Sequence, residues 1–598
     1  MKTQKYAVNQ YLIESVLSKV REEEIAIPEI QRPFVWDSSQ VRDLLDSLYQ
    51  GFPVGYLIAW RNPDVRLKDG TTAHGKMILI DGQQRVTALT AAVLGQPVVN
   101  KNYKKARIVI AFHPIEERFE VQNPAILKDV AWVPDVAPLL SGEIKLIRAV
   151  NQYLAANPAA DAEKVEEAFS ALTDIPKKQI GLIELSHDLD IETVTEIFIR
   201  INSKGTVLSQ ADFAMSKIAS DSRFGGPTLR KCIDYFSHLS VAPEAYSQIK
   251  ENDSDFSTTE FFSRIAWLRD EKSDLYDPGY TDILRVAFTS EFSRGKLADL
   301  VSLLSGRNFE TKAYEDSIAE DTFKRLGAAV ASFVNESHFK RFVMIIKSAG
   351  FVSSRMVRSQ NALNFAYIVF LKLRAQGVPD QLIEGYVRRW FVLSILTGRY
   401  SSSPESQFDT DIRQIAAGDF GKVLAGQEEA ELSDAFWDVG LVQQLDTAQA
   451  NSPVFWAWVA SQVKSGARGF LSRDIRVEDL VTLLGDIHHI FPKDALKKAG
   501  LAKGLYNQIA NYVFAQEEIN IRVGNKLPRE YLATVRAQCA GGPLKYGSID
   551  SADLLEANLR ESCVPGAVFE AGIDEYEAFL NERRTLMAQA LRTYYQTL

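Results

Sequence analysis

Two of the chain's seven histidines stand side by side in Gly485-Asp486-Ile487-His488-His489-Ile490-Phe491-Pro492, behind the apolar run Leu480-Val481-Thr482-Leu483-Leu484. Imidazole exchanges a proton near neutral pH and is a common metal ligand, so the pair could supply a general base, a ligand, or one of each. On a strand, neighbouring side chains point to opposite faces; the two rings are equivalent ligands of one ion only where the backbone bends between them, and Pro492 marks a bend close by. Asn507, Asn511, Asn520 and Asn525 follow, Asn511 lying 22 residues after His489 and Asn520 nine after Asn511.

A second set reads as an anion site. Met77-Ile78-Leu79-Ile80 has the pattern of a buried strand, Asp81-Gly82-Gln83-Gln84-Arg85 of a tight turn, and Val86, Leu89, Ala92 and Val93 of one helix face. The start of a helix offers unpaired amides and a positive dipole end. Arg85 is unfavourable there unless a phosphate or a carboxylate lies beside it. The alternative is that Asp81 is the N-cap and Arg85 half of an internal ion pair. Gln31 and Arg32, inside Ile27-Pro28-Glu29-Ile30-Gln31-Arg32-Pro33-Phe34-Val35-Trp36, add a second guanidinium suited to planar phosphate recognition. Asn202 and Lys204, in Phe198-Ile199-Arg200-Ile201-Asn202-Ser203-Lys204-Gly205, are further groups free to face a ligand, whereas Ser209 with Asp212 form a capping box and Leu208 with Phe213 a hydrophobic staple.

These residues need a multidomain scaffold, and the length supplies one, at ~100–200 residues per domain. Apolar residues make up 46 % and charged residues 24 %, which excludes a largely disordered chain. Residues 1–220 mix short strands, such as Ala106–Phe112, with helices; Asp37 and Gln40 make a capping box ahead of Val41, Leu44, Leu45 and Leu48 on one face. Residues 221–440 carry helical periodicity, as in 364–373, with a loop at Ser401-Ser402-Ser403-Pro404. Residues 441–598 hold the histidine pair and end in a helical, acidic stretch whose Asp574-Glu575-Tyr576-Glu577 reads as a solvated face. The expected fold class is multidomain α+β.

The net charge of −9 excludes an all-basic surface, yet residues 461–540 hold twelve Lys/Arg against eight Asp/Glu, a local +4, while 541–598 stand at −4. Cys232, Cys539 and Cys563 are isolated, with no CxxC pair, which excludes a disulfide framework or a thiolate zinc knuckle. No run approaches the ~18 apolar residues of a membrane span and no apolar leader follows Met1, so a cytoplasmic location without membrane contact is expected. There is no GxxxxGK[ST] sequence, so a P-loop is excluded.

The order His-His, Asn, Asn resembles the HNH or ββα-metal nuclease motif, and the string His488-His489-Ile490-Phe491-Pro492 with Asn525-Lys526-Leu527-Pro528-Arg529-Glu530-Tyr531 resembles the HNH domain of GmrSD-type restriction enzymes. The N-terminal motifs IPxxQRxxxW, DGQQR and FxRINSKGxxLSxAD, in that order, are similar to the ParB-like nucleotide-binding domain of the same family. The resemblance implies a ParB-like α/β sensor over 1–220, a helical middle over 221–440, and an HNH endonuclease domain with a helical surround over 441–598.

It further implies that His488 and Asn520 hold Mg²⁺ or Mn²⁺, with Asp486 an additional or substitute ligand, that His489 activates water, and that Asn511 fixes the His489 loop. Gln31, Arg32, Asp81, Gly82, Gln83, Gln84, Arg85, Asn202 and Lys204 would line a site for GTP or another NTP. Phosphodiester hydrolysis fits these residue types, because it needs a base near neutral pH and a cation for the pentavalent phosphorane and leaving oxygen. The implied protein is an NTP-regulated, modification-dependent endonuclease of an anti-phage restriction system, acting on modified phage DNA and compatible with a homo-oligomer. Phosphorothioate sensing by the same family is one alternative; a nucleotide-regulated DNA-binding protein with an inactive HNH-like segment is the other.

Overall fold

The computed structural model describes residues 4–22, 24–26, 36–61, 77–99, 105–186, 189, 193, 209–221, 223–483, 485 and 487–598. Two compact units result, one from residues 1–269 with 298–324 and the other from 270–297 with 325–598. Together they make an α+β protein. Among the described residues no helix is long and apolar enough to cross a membrane.

In the first unit, strands β1 (Tyr6–Leu12) and β2 (Ile25–Ala26) precede helix α1 (Ser38–Tyr49). The Asp37 carboxylate accepts from the Gln40 amide and the Gln40 side chain accepts in return from the Asp37 amide, so the capping box starts α1 as its sequence requires. Val41, Leu44, Leu45 and Leu48 are its buried stripe. Strands β3 (Tyr56–Arg61) and β4 (Met77–Asp81) lead into α2 (Gln83–Val93), which buries Val86, Leu89, Ala92 and Val93.

The expected strand 106–112 is interrupted. β5 (Val98–Val99) pairs with β6 (Lys105–Ala106), and β7 (Ile110–His113) pairs with β8 (Arg118–Val121), so 107–109 are the joint between two hairpins. Arg107 turns out at that joint to meet Asp135 at 2.7 Å. Apolar alternation alone did not reveal that the run serves two different partners. Strand β9 (Gln179–Leu185) completes a mixed five-stranded sheet in the order β1-β9-β3-β4-β2. Helix α3 (Gln210–Ser220) begins with the expected Ser209–Asp212 capping box, while Leu208 lies outside the described residues.

The second unit is helical around one short hairpin. Helix α4 (Gln360–Ala375) is apolar on all sides and buried through most of its length, as a helix at the centre of a core must be. α5 (Asp380–Thr397) ends before the loop expected at 401–404, which closes one residue early: Pro404 is the first residue of α6 (Pro404–Ala417), where its missing amide costs nothing. Next come α7 (Pro453–Ser465), β10 (Ile487–His489), the short helices α8 (Lys493–Lys498) and α9 (Lys503–Tyr506), β11 (Tyr512–Phe514) and α10 (Glu517–Val523). α11 (Pro528–Cys539) and α12 (Tyr576–Gln596) follow. β10 and β11 run antiparallel in the register Ile487↔Phe514, His488↔Val513, His489↔Tyr512, and with α10 they form a β-β-α unit.

Helix α12 reaches the hairpin through one side chain. Arg583 is fully buried, lies over the Trp458 ring of α7, and donates to the carbonyls of Ala510 (2.6 Å), Tyr512 (2.9 Å) and Ser562 (3.0 and 3.3 Å). Burial pulls its pKa down to about 10, so the guanidinium is still charged at neutral pH. Replacing it with methionine fills the volume but strands three buried carbonyls; at about 1 kcal/mol or more for each unsatisfied acceptor, Arg583→Met should lose about 3 kcal/mol of stability in urea unfolding. Arg583→Lys, with fewer donors and a shorter reach, should lie between methionine and the native residue.

Candidate functional site

Strand β10 runs straight through both histidines, so they alternate: His488 is 9 % exposed and inward, while His489 is partly exposed on the other face. The bend comes after the pair, where Phe491 and Pro492 lead into α8. His489 Nε2 lies 3.2 Å from Asn507 Oδ1, and the ring stands edge-on to Tyr512 with centroids 5.0 Å apart. Burial, the largest influence, holds its pKa below the usual histidine value; the Asn507 hydrogen bond opposes this, and Lys493 and His488 add to it.

Asn511 is wholly inaccessible, and its amide is fully used. Its Oδ1 accepts from the Phe491 amide at 2.9 Å, and its Nδ2 donates to the Phe491 carbonyl at 3.0 Å and the Tyr506 carbonyl at 3.4 Å. Tyr531 of α11 donates to the Ile490 carbonyl at 3.0 Å, and Phe491 packs on Tyr576 and Phe579 of α12. The segment leaving His489 is therefore tied down on three sides. Asn511 shapes the backbone and touches no solvent, so it is a positioning residue.

Asn520 lies exposed on α10, and Asn525 is exposed beyond it; Asp486 lies outside the described residues. Among the described residues, no three His, Cys, Asp or Glu side chains gather into a metal-holding group. Of the two ligands that the resemblance implies, His488 is turned inward and Asn520 is exposed on α10; one imidazole and one amide are neutral donors, a chemistry that would suit a divalent ion keeping most of its waters. Sequence reasoning noted Asn507, and Tyr531 within the string 525–531, without giving either a role, and missed Arg583. Asn507 was visible only as one of four spaced asparagines, and nothing near Arg583 in the sequence distinguishes it from a surface residue of an acidic helix.

In the first unit, Asp81, Gly82, Gln83, Gln84 and Arg85 come together at the β4–α2 turn. The N-cap is Gly82, not Asp81: its φ of +92° is the left-handed region, and no side chain caps the helix. A Cβ there would sit 2.3 Å from Leu57 Cδ2 of buried β3, so only glycine fits. Asp81 instead faces Arg85 at 3.8 Å and supplies the negative charge that a first-turn arginine requires. Arg85 also donates to the Tyr56 carbonyl at 2.6 Å, and Gln83 to the Leu79 carbonyl at 3.2 Å. Gln31, Arg32, Asn202 and Lys204 lie outside the described residues.

Residues 13–219, which contain this turn, match the family model of the GmrSD restriction endonuclease, N-terminal domain. That stretch is therefore similar to the N-terminal domain of GmrSD restriction endonucleases, as its three N-terminal motifs implied. Over 560 residues it is also 20 % identical to an uncharacterized protein of Methanocaldococcus jannaschii, an alignment covering 86 % of this chain and 85 % of that protein.

Two substitutions probe these sites. Gly82→Ala should cost about 1–2 kcal/mol, from the left-handed φ and the displaced Leu57. Asn511→Asp keeps shape but turns a carboxylate toward the Phe491 and Tyr506 carbonyls. Its folded-state pKa must rise above the unfolded value, so the loss, about 3 kcal/mol at pH 7, should shrink as pH falls toward the carboxyl range; urea unfolding of variant and parent at matched pH measures it.

Proposed function

We propose that the chain is a DNA endonuclease of restriction type whose chemistry resides in the β10–β11–α10 unit and whose N-terminal domain makes cleavage depend on an NTP and on modification of phage DNA. The observation that carries this reading is the held imidazole of His489, on a hairpin whose exit is locked by Asn511, in a chain with a GmrSD N-terminal domain.

With Asn507 Oδ1 facing the ring, Nε2 carries the hydrogen and Nδ1 the lone pair. His489 Nδ1 takes a proton from water as the water oxygen attacks phosphorus; the P–O bond to the leaving oxygen breaks, and that oxygen is reprotonated from solvent. His488 and Asn520 would hold the divalent ion, Mg²⁺ or Mn²⁺, which supplies charge stabilisation for the phosphorane. Asp81, Gln83, Gln84 and Arg85 at the β4–α2 turn, with Gln31, Arg32, Asn202 and Lys204, would form the nucleotide site, where a phosphate competes with Asp81 for Arg85. DNA and nucleotide as partners would fit a cytoplasmic location.

The test incubates the full chain with Mg²⁺, with and without GTP or ATP, on modified phage DNA and plain plasmid. Cleavage should fall at least ~10²-fold in His489→Ala, the low end of what a general base contributes. Arg85→Ala should lose nucleotide turnover and phage restriction while leaving the hairpin folded. Equal inactivity of parent and His489→Ala on every substrate would instead make the chain a nucleotide-regulated DNA-binding protein.

A further inference from the structure

The connection between β10 and β11 carries a concentration of positive charge, of which only Lys493 has an aromatic neighbour, Tyr506 at 6.0 Å, among the described residues. Residues 493–506 contain four lysines, Lys493, Lys497, Lys498 and Lys503, against one carboxylate, Asp494, in a chain whose net charge is −9. All four lysines are exposed, and none is in an ion pair among the described residues. Lys497 and Lys498 end α8, where the helix dipole favours cations. Lys493 and Lys503 open α8 and α9, where it does not, and Lys493 and Lys497 stand at the i, i+4 spacing at which like charges repel. Leu505, 55 % exposed, lies on the same connection.

Both ends of this connection are fastened at the candidate base. It leaves β10 through Phe491, held by Asn511, and returns through Asn507, which is bonded to His489. Its lysines therefore occupy a short, anchored segment beside the imidazole. A polyanion with regularly spaced charges answers such a strip, since each lysine can neutralise a phosphate and release its counterions.

We propose that residues 493–506 are the DNA-backbone grip of the nuclease, with Lys493, Lys497, Lys498 and Lys503 contacting phosphates of a duplex laid beside His489. The grip rests on the nuclease reading above and names the surface through which that site meets its substrate. Contacts of this kind fix register and carry no base sequence, which leaves discrimination of modified DNA to other residues.

Binding separates from cleavage if the full chain carries His489→Ala and is titrated in EDTA with a short plain duplex by fluorescence anisotropy over a salt series. Converting the four lysines to glutamine should make the log–log salt slope shallower by about 3–4, at about 0.9 per phosphate contact. Four arginines at those positions should retain it, and glutamine at Lys272, Lys324, Lys347 and Lys422, all exposed, should leave it unchanged. Circular dichroism checks that the variants are folded. Parallel salt plots for the lysine-to-glutamine variant and its parent, or no duplex binding by the parent, overturn the grip; so does a change in oligomeric state without a change in slope, which would assign the strip to an acidic protein partner. Because cleavage is read separately with His489 intact, a shallower slope without cleavage would count against the nuclease and not against DNA contact.

Discussion

The second unit is organised around a buried cation that has no anionic partner among the described residues. Arg583 places its guanidinium in the interior and satisfies it with carbonyl dipoles from Ala510, Tyr512 and Ser562. Two of these flank Asn511, so one side chain of α12 fixes the backbone on both sides of the residue whose amide locks the His489 exit. Taking a charge out of water is expensive, and the depressed pKa of Arg583 is the sign of that expense. In return the carbonyls entering β11 are all engaged, and no flexible side chain could hold them in so definite a geometry.

This arrangement explains why a hairpin so local in sequence needs a long stretch of chain. β10 and β11 have three residues each, and an isolated two-stranded hairpin is marginal at best in water. Here the hairpin is held by Tyr531 from α11, Arg583 and the Phe491–Phe579 contact from α12, and the Trp456–Phe514 contact from α7. The helical surround is a structural requirement of the short hairpin. The acidic start of α12 shows both duties at once: Asp574, Glu575 and Glu577 face solvent as their charge requires, while Tyr576 among them turns inward and donates to the Leu505 carbonyl.

What could be read from the sequence was what is decided within a few residues. The capping boxes at Asp37–Gln40 and Ser209–Asp212, the buried face of α2 and the break at 401–403 depend on neighbours three or four positions away. The failures involve choices made over longer distances. The run 106–112 is uniform in composition, but its two ends pair with different strands. Asp81 is a good N-cap type, but buried Leu57, 25 residues earlier, leaves room only for Gly82 in the left-handed conformation, and the carboxylate turns to Arg85 instead. Arg583 lies 72 residues beyond Asn511, and no periodicity links them.

The two sites differ in what their side chains still have free. At the β4–α2 turn, Arg85 is engaged by a carboxylate and a carbonyl, so an anion arriving there must displace the 3.8 Å contact with Asp81, and the exchange is close to balanced because both partners are partly exposed. At the hairpin the division is sharper. Asn511 and Arg583 spend their donors on backbone, and Asn507 spends its oxygen on His489, whose ring is partly exposed. The cost of that lock falls on stability: the Ile490, Ala510 and Tyr512 carbonyls depend on donors from other elements, Tyr531 and Arg583, so loss of either donor strands buried polar atoms rather than merely loosening a contact.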